Sequence, residues 1–482
     1  MESKEFIVAI ELGSSKMTGI AGQKNLDGSI NVLAVVKEPS STFIRKGVVY
    51  NIDKTAQSIS NIVKRLETLL KTEIKRVYVG VGGQSVRGVR NVISRDLPAD
   101  TIVTGAMVDE LVDANRDMNY PDQEILDAAV QEYLVDTQYQ LDPVGIQCTR
   151  LEGNYLNILQ RKDFYKKLNK CFATAGIRIA EMLNAPLALA DAVLTEAERR
   201  SGCALVDIGA DTTTVSVYSK NILRHLAVIP LGGANITKDI ATLQIEESDA
   251  EKMKLKYASA YTDNNEIDAN LKYPIDQDRS VESRRFIEIV EGRMQEIIEN
   301  VRYQIPTEYY DKLLSGIILT GGGANMPNID KAFRTFAHID KIRIAKFPIQ
   351  AINSSNDDIK SRNGMMNTVL GLLIKGNMNC AGSGIDPDDL FGGSTKSQNT
   401  TNDDQRGPRR AAEIPSGVVQ TEEEKRKAEE ERRQRQLEEE QLRREEEERQ
   451  RLEEERRRQE NSTWNKFKRK ISGIAKTIVE EE

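Results

Sequence analysis

One local pattern occurs twice in this chain and limits most of what it can fold into. Residues Phe6 to Gly13 read FIVAIELG, an apolar run carrying one carboxylate and ending at glycine, and Cys203 to Gly209 read CALVDIG, the same construction with an aspartate. Each is followed by small polar residues and a second strand-like run, KMTGIAG from Lys16 and TTTVSVYS from Thr212. Apolar runs of this length, bounded by turn residues, suit buried strands entering tight turns. A strand–turn–strand unit that recurs predicts an α/β molecule of two related halves.

The rest of the chain divides around these units. Up to Ile374 apolar runs alternate with glycine punctuation, whereas the remainder is polar and then almost wholly charged, so only the first part can bury a core. The reading gives a first lobe over 1–83 and 163–190, interrupted at 84–162 by an inserted subdomain with strand and helix signals of its own. A second lobe covers 191–233 and 307–378, with a helical, charged small subdomain at 234–306. In that subdomain Phe286, Ile289, Val290, Met294, Ile297, Ile298 and Val301 share one helical face, a stripe that reads as core. Residues 379–420, rich in Gly, Ser, Asn, Asp and Pro, read as a flexible linker. From Thr421 to Glu460 there are 17 Glu and 13 Lys plus Arg. Many Glu lie four residues before an Arg, and Leu437, Leu442 and Leu452 are too few for a heptad seam, so a solvated helix of up to about 60 Å is expected rather than a coiled coil.

Composition removes several functions. The net charge of -7 argues against nonspecific nucleic-acid binding. Cysteines at 148, 171, 203 and 380 lack CxxC spacing and are expected to be reduced thiols. With His225 and His338 as the two histidines, neither a histidine metal site nor a Ser/His triad has support. The N-terminus turns polar too soon for a signal peptide, and no apolar run approaches the roughly 20 residues of a spanning helix. A cytoplasmic protein is expected unless something attaches it.

Three motifs carry chemistry. In ELGSSK, Gly13 admits a phosphate to the backbone, Ser14 and Ser15 offer hydroxyl and N–H donors, and Lys16 adds charge; alone, this is also an ordinary hairpin tip. In DIGADTTT, Asp207 ends a strand before Gly209, Ala210, Asp211, Thr212 and Thr213, placing a carboxylate suited to hydrated magnesium beside a second small-residue loop. The alternative, a simple turn cap, leaves the duplication unaccounted for. In GIILTGGGANMPNI, Gly321, Gly322 and Gly323 join an apolar strand to a helix, a turn that accepts a flat ligand or phosphate against backbone.

In this order the motifs resemble phosphate 1, phosphate 2 and adenosine of the actin and sugar-kinase superfamily of ATPases, over about residues 5–376. More narrowly, the VDIGADTT loop, LRHLAVIPLGGANITKDIA, the SDAEKMK helix and NTVLGLLI resemble the FtsA family of bacterial cell-division actin homologues, as does the place of the insertion. The resemblance implies ATP and Mg as ligands, Gly233, Glu251 and Lys254 near the adenosine, and Glu11 and Asp207 flanking the metal. It implies as partners the FtsZ C-terminal peptide, further copies of the chain in a filament, and other division proteins, with the 234–306 subdomain and Arg293 in VEGRMQEI at the FtsZ contact. Asp191, in LADAVL, stands where actin's water-orienting glutamine falls, which favours ATP binding with at most slow turnover.

The chain ends in NSTWNKFKRKISGIAKTIVEEE. Trp464, Phe467, Ile471, Ile474 and Ile478 fall within about 80° of helical arc, with Lys466, Arg469, Lys470 and Lys476 around the other side. Beyond a linker such a stripe has no domain to pack on, so it reads as a helix lying on an anionic membrane surface; a peptide-groove partner is the rival occupant. The family resemblance implies the same helix, and with it the cytoplasmic face of the inner membrane at the septum. A PilM-type pilus-assembly actin homologue and a small-molecule kinase of the same superfamily are the other functions left open.

Overall fold

The computed structural model describes residues 5–381, apart from 269 and 277. The charged helix (421–460) and the amphipathic helix with Trp464, Phe467, Lys466, Arg469, Lys470, Ile471, Ile474, Lys476 and Ile478 lie outside the described residues, as does the linker beyond Ala381.

The chain opens on β1 (Ile7–Leu12), β2 (Lys16–Lys24) and β3 (Ile30–Pro39), then the short β4 (Ile44–Arg45) and β5 (Val48–Val49), α1 (Ile52–Leu70) and β6 (Arg76–Val81). The insertion contributes β7 (Arg87–Asp96), α2 (Gly105–Arg116), β8 (Gln123–Val135), β9 (Gln138–Gln140) and β10 (Arg150–Arg161). The first lobe resumes with α3 (Lys162–Ala175), β11 (Arg178–Asn184) and α4 (Ala185–Val193). Then come α5 (Glu196–Ser201), β12 (Cys203–Ile208), β13 (Thr213–Ser219), β14 (Ile222–Ile229), α6 (Gly233–Ala241), α7 (Glu247–Tyr257), β15 (Lys272–Pro274), β16 (Ser280–Glu282) and α8 (Ser283–Gln304). The described chain closes with β17 (Ile317–Thr320), α9 (Ile329–Ala337), β18 (Ile342–Ile344), β19 (Ile352–Asn353), α10 (Asp357–Lys360) and α11 (Asn367–Lys375).

The two halves are visible in the sheets. The first runs β11-β6-β1-β2-β3-β19 and the second β14-β13-β12-β17-β18. In both, the central strand has its hairpin partner antiparallel on one side and a parallel strand on the other. Even the register repeats: Glu11 faces Thr18, and Asp207 faces Thr214. A parallel neighbour requires a crossover, which α1 and the α6–α8 segment provide in the two halves.

Local chemistry accounts for the helices. Asn51 caps α1 by accepting from Lys54 N at 3.0 Å, and Ile59, Ile62, Val63 and Leu66 form its buried stripe. The stripe expected on α8 is buried at Phe286, Val290, Met294, Ile297, Ile298 and Val301, with Ile289 half-buried. The insertion forms its own sheet, β7-β10-β8-β9, around Leu111, Tyr133, Leu151 and Tyr155. Beneath α2, buried Asn115 and Asn157 exchange amide hydrogen bonds of 2.7 and 2.9 Å, satisfying polar groups that burial would otherwise penalise. On its other side the insertion meets β14, where nearly buried Arg224 pairs with Glu132 at 2.8 Å.

Two features tie the architecture together. Helices α4 and α11 cross so closely that a Cβ at Gly371 would run into the Ala188 carbonyl. Past α11, Asn377–Ala381 crosses the starts of β1 and β6. The buried Tyr78 hydroxyl donates to Asn377 Oδ1 (2.8 Å) and accepts from the Asn377 and Met378 N–H groups (3.0 and 2.9 Å). Cys380 N donates to Phe6 O (2.8 Å), and Lys75 N donates to Cys380 O (3.1 Å). This is the base of the first lobe, at the opposite end of β1 from Glu11.

Candidate functional site

The ends of β1 and β12 open into one cleft of about 530 Å³. Its lining includes Glu11, Gly13, Ser14, Ser15 and Lys16 from the first hairpin, Asp207, Gly209, Ala210 and Thr212 from the second, and Gly233, Glu251, Lys254, Gly321, Gly322 and Gly323. Fifteen sequence positions spread over more than three hundred residues are thus drawn together by the two sheets. Two of the expected phosphate residues stand elsewhere. Thr213 is fully buried and its hydroxyl donates to Leu231 O at 2.9 Å, because side chains alternate along a strand and Thr212 and Thr214 take the cleft side. Asp211 instead accepts from Lys46 N at 3.0 Å, joining the second-lobe loop to a first-lobe turn.

No motif in the sequence marks that turn. Lys46 and Gly47 both adopt positive φ, of 50° and 71°, and Gly47 N donates to Ser14 Oγ at 2.8 Å. Gly47, Gly82 and Gly83 line the cleft, as do Leu255, Asn325 and Met365. Dispersed single residues of this kind have no strand-plus-glycine signature; the GVGG run after Val79 was the available signal.

Two carboxylates oppose each other at the floor. Burial pushes Glu11 up to about 7, with the Asp207 charge acting in the same direction and Lys16 and Lys37 against it. Burial alone pushes Asp207 up to about 6. Lys16 is held below the usual lysine range, first by burial and then by Lys37. Gly321, at φ 85°, presses on the same spot: a Cβ there would fall against Asp207 Oδ1. On the opposite wall Lys254 Nζ donates to Gly233 O (3.0 Å), Thr237 Oγ1 (2.9 Å) and Glu251 Oε2 (2.6 Å). The Glu251 carboxylate also accepts from Thr237 Oγ1, so this pair is a braced network.

Asp191 and Arg293 are not in the cleft lining. The Asp191 carboxylate is held by Arg199 (2.8 Å) and Lys375 (2.7 Å). Arg293 donates to both Asp239 oxygens, at 2.5 and 3.1 Å, and to Glu296, in a shallow depression between α6 and α8.

Two related lobes, each with a carboxylate-ended strand and a hairpin facing a common cleft, define an actin-like fold. The chain superposes on a solved PilM–PilN type IV pilus biogenesis complex with a TM-score of 0.54, covering 77% of this chain and 98% of that one at 16% identity; this is a likeness of fold. Sequence comparison goes further. The family model described as cell division protein FtsA matches residues 204–370, and that of the SHS2 domain inserted in FtsA matches 83–159. Cell division protein FtsA of Neisseria meningitidis serogroup B is 33% identical over 336 residues, 68% of this chain and 81% of that protein. Its counterpart in Porphyromonas gingivalis is 30% identical over 354 residues, 72% and 74% of the two chains. The chain belongs to the FtsA family of cell-division proteins.

Proposed function

We propose that this protein binds ATP with magnesium in the cleft, assembles into filaments, and joins the FtsZ ring to the cytoplasmic face of the membrane through the amphipathic segment at 461–482. The observation that carries the nucleotide reading is the facing pair Glu11 and Asp207. Two carboxylates on one desolvated floor resist ionisation, through burial in both and for Glu11 also through the Asp207 charge, and a hard divalent cation relieves both effects. Magnesium, when bound, supplies the positive charge that lets a polyphosphate approach them. The chain's own groups do the rest. Ser14, Ser15 and Thr212 offer donors from two sides, Lys16 adds charge at one end, and the flat surface at Gly321–Gly323 leaves room for adenosine near Lys254 and Glu251.

Nucleotide in this position bridges both lobes and so biases the angle between them, which is the variable a polymerising subunit needs to control. The same reading gives the 234–306 subdomain the FtsZ C-terminal peptide, with Arg293 at its surface. Support for the membrane step is the apolar and basic patterning from Trp464 to Ile478. Among the described residues no helix is long and apolar enough to cross a membrane.

The test is calorimetric titration of ATP with and without Mg²⁺, followed by vesicle pelleting with and without ATP and FtsZ. Magnesium-dependent binding and ATP-dependent co-pelleting of FtsZ are expected. ATP affinity that ignores both magnesium and Asp207→Asn would take the nucleotide out of the cleft, and FtsZ that stays in the supernatant beside membrane-bound protein would remove the adaptor role.

A further inference from the structure

The β2–β3 turn, the C-terminal ends of α1 and α3 and the chain's exit at Ala381 all lie at the base of the first lobe, because β1, β6 and β11 start there and β2 ends there. Two exposed leucines sit at this end. Leu26, at the tip of the β2–β3 turn, is 110% exposed, the most exposed large hydrophobic residue among those described, and Leu69, in the last turn of α1, is 61% exposed. The Leu26 turn is built rather than loose: Asn25 N donates to Ser29 O at 2.8 Å, and Asp27 Oδ1 accepts from the Ser29 N–H (2.9 Å) and hydroxyl (2.6 Å). Exposed lysines lie on the segments that end here: Lys24 before the turn, Lys71 and Lys75 after α1, and Lys170 in the last turns of α3. Glu5, Asp27 and Glu73 are the exposed acids at the same end.

We propose that this base is a second membrane contact, in which Leu26 and Leu69 enter the headgroup region of an anionic bilayer while Lys24, Lys71, Lys75 and Lys170 meet its phosphates. Three observations favour lipid over a protein partner. The two leucines are isolated points among lysines, not the contiguous patch of roughly 800 Å² per partner that a stable protein interface buries. Exposed apolar side chains accompanied by four lysines against three acids suit an anionic interface, which attracts lysines held near its surface at low screening. The exit of residues 382–482 is fixed beside them: Ala381 bridges Ile74, and β6 is two strand spacings, about 10 Å, from β2. The inference rests on the proposed membrane role of the terminal segment, and adds that the folded lobe presents one defined face to the lipid.

The test uses the full chain on vesicles of phosphatidylcholine with about 30% phosphatidylglycerol, and on phosphatidylcholine alone, at low and high salt. The variants are Leu26→Glu, Lys71→Glu with Lys75→Glu, and Trp464→Glu with Ile471→Glu; ATP affinity and lipid-free sedimentation report folding and assembly. A polarity-sensitive dye on Leu26→Cys reads contact directly, since the four native cysteines are buried. Both base variants are expected to lose about tenfold in affinity for anionic vesicles with ATP binding intact, and the dye to shift to the blue on vesicles. Wild-type vesicle affinity in both base variants with a silent dye would overturn the proposal. Loss of lipid-free assembly in those variants, again with a silent dye, would overturn it in favour of a second copy of the chain. Full binding by the Trp464/Ile471 variant alongside loss in Leu26→Glu would remove the terminal helix and leave the base contact supported.

Discussion

Hairpins β1–β2 and β12–β13 set a carboxylate at the same step of the same ladder, yet their electrical surroundings differ. Glu11 lies near Lys16 and Lys37 and is raised by burial and by Asp207, whereas Asp207 is raised by burial alone and from a lower starting value. A duplicated backbone therefore delivers two unequal acids. Glu11 is held further above the usual carboxylate range than Asp207, so without a cation Glu11 is the acid that takes up a proton more readily and Asp207 the better standing ligand. The loops differ as well. The first is buttressed by the Lys46–Gly47 turn through Ser14, and the second by Gly321 pressed on Asp207.

The sharpest way to break the comparison is Gly321→Val. A branched side chain at positive φ against the Asp207 oxygen strains the backbone and fills the adenosine wall, so ATP affinity should drop by about a hundredfold or more; calorimetry reads it, with circular dichroism checking the fold. Next comes the pair itself. Asp207→Asn should weaken Mg·ATP by about ten- to a hundredfold and Glu11→Gln by less, since Glu11 is already partly neutral; equal losses would show the two acids to be interchangeable.

The pH dependence carries the same asymmetry. Both folded pKa values lie above the unfolded ones, so the two acids favour the folded state below their unfolded pKa values. That contribution is lost as pH rises from about 4 through about 6 for Asp207, and from about 4.5 through about 7 for Glu11. The cation-free protein should accordingly lose Tm across this range, and Mg·ATP affinity should climb over the same pH values. Glu11→Gln should flatten the upper part of both curves. The smallest effect is expected from Lys16→Ala, about three- to tenfold in ATP affinity, because a half-buried lysine with a second cation beside it is only part of the local positive charge. Mixing experiments at high salt should shrink that difference further.

Much of this was readable beforehand because a buried strand ending at a glycine is a local signal, and its recurrence supplies the long-range one. The three glycine motifs, Glu11, Asp207 and the E-x-x-K pair of Glu251 and Lys254 all reach the cleft. What escaped depends on direction. Thr213 belongs to the right loop but points to the wrong side of the strand, which the two-residue alternation Thr212, Thr213, Thr214 already contained. Asp191 sits on a helix whose rotation no short motif reveals, and two cations claim it. Gly47 and Gly83 come from separate turns that meet only after the sheet forms.

The segment Asn377–Ala381 also has a mechanical meaning. A pull on the chain beyond Ala381 reaches the fold at the Ile74 bridge and the Lys75–Cys380 bond, passes next to the bond from Cys380 to Phe6, and arrives last at the three bonds of the Tyr78 hydroxyl. These contacts follow one another along the chain from Ala381 back to Asn377, and Cys380 is held on both sides at once, by Lys75 and by Phe6. Phe6 adjoins the first residue of β1, whose far end holds Glu11, and Tyr78 lies on β6, which runs toward Gly82 and Gly83. The lobe's fastening is thus set on the two strands that lead to the cleft, so a load on the exit and a ligand in the cleft act on opposite ends of the same strands.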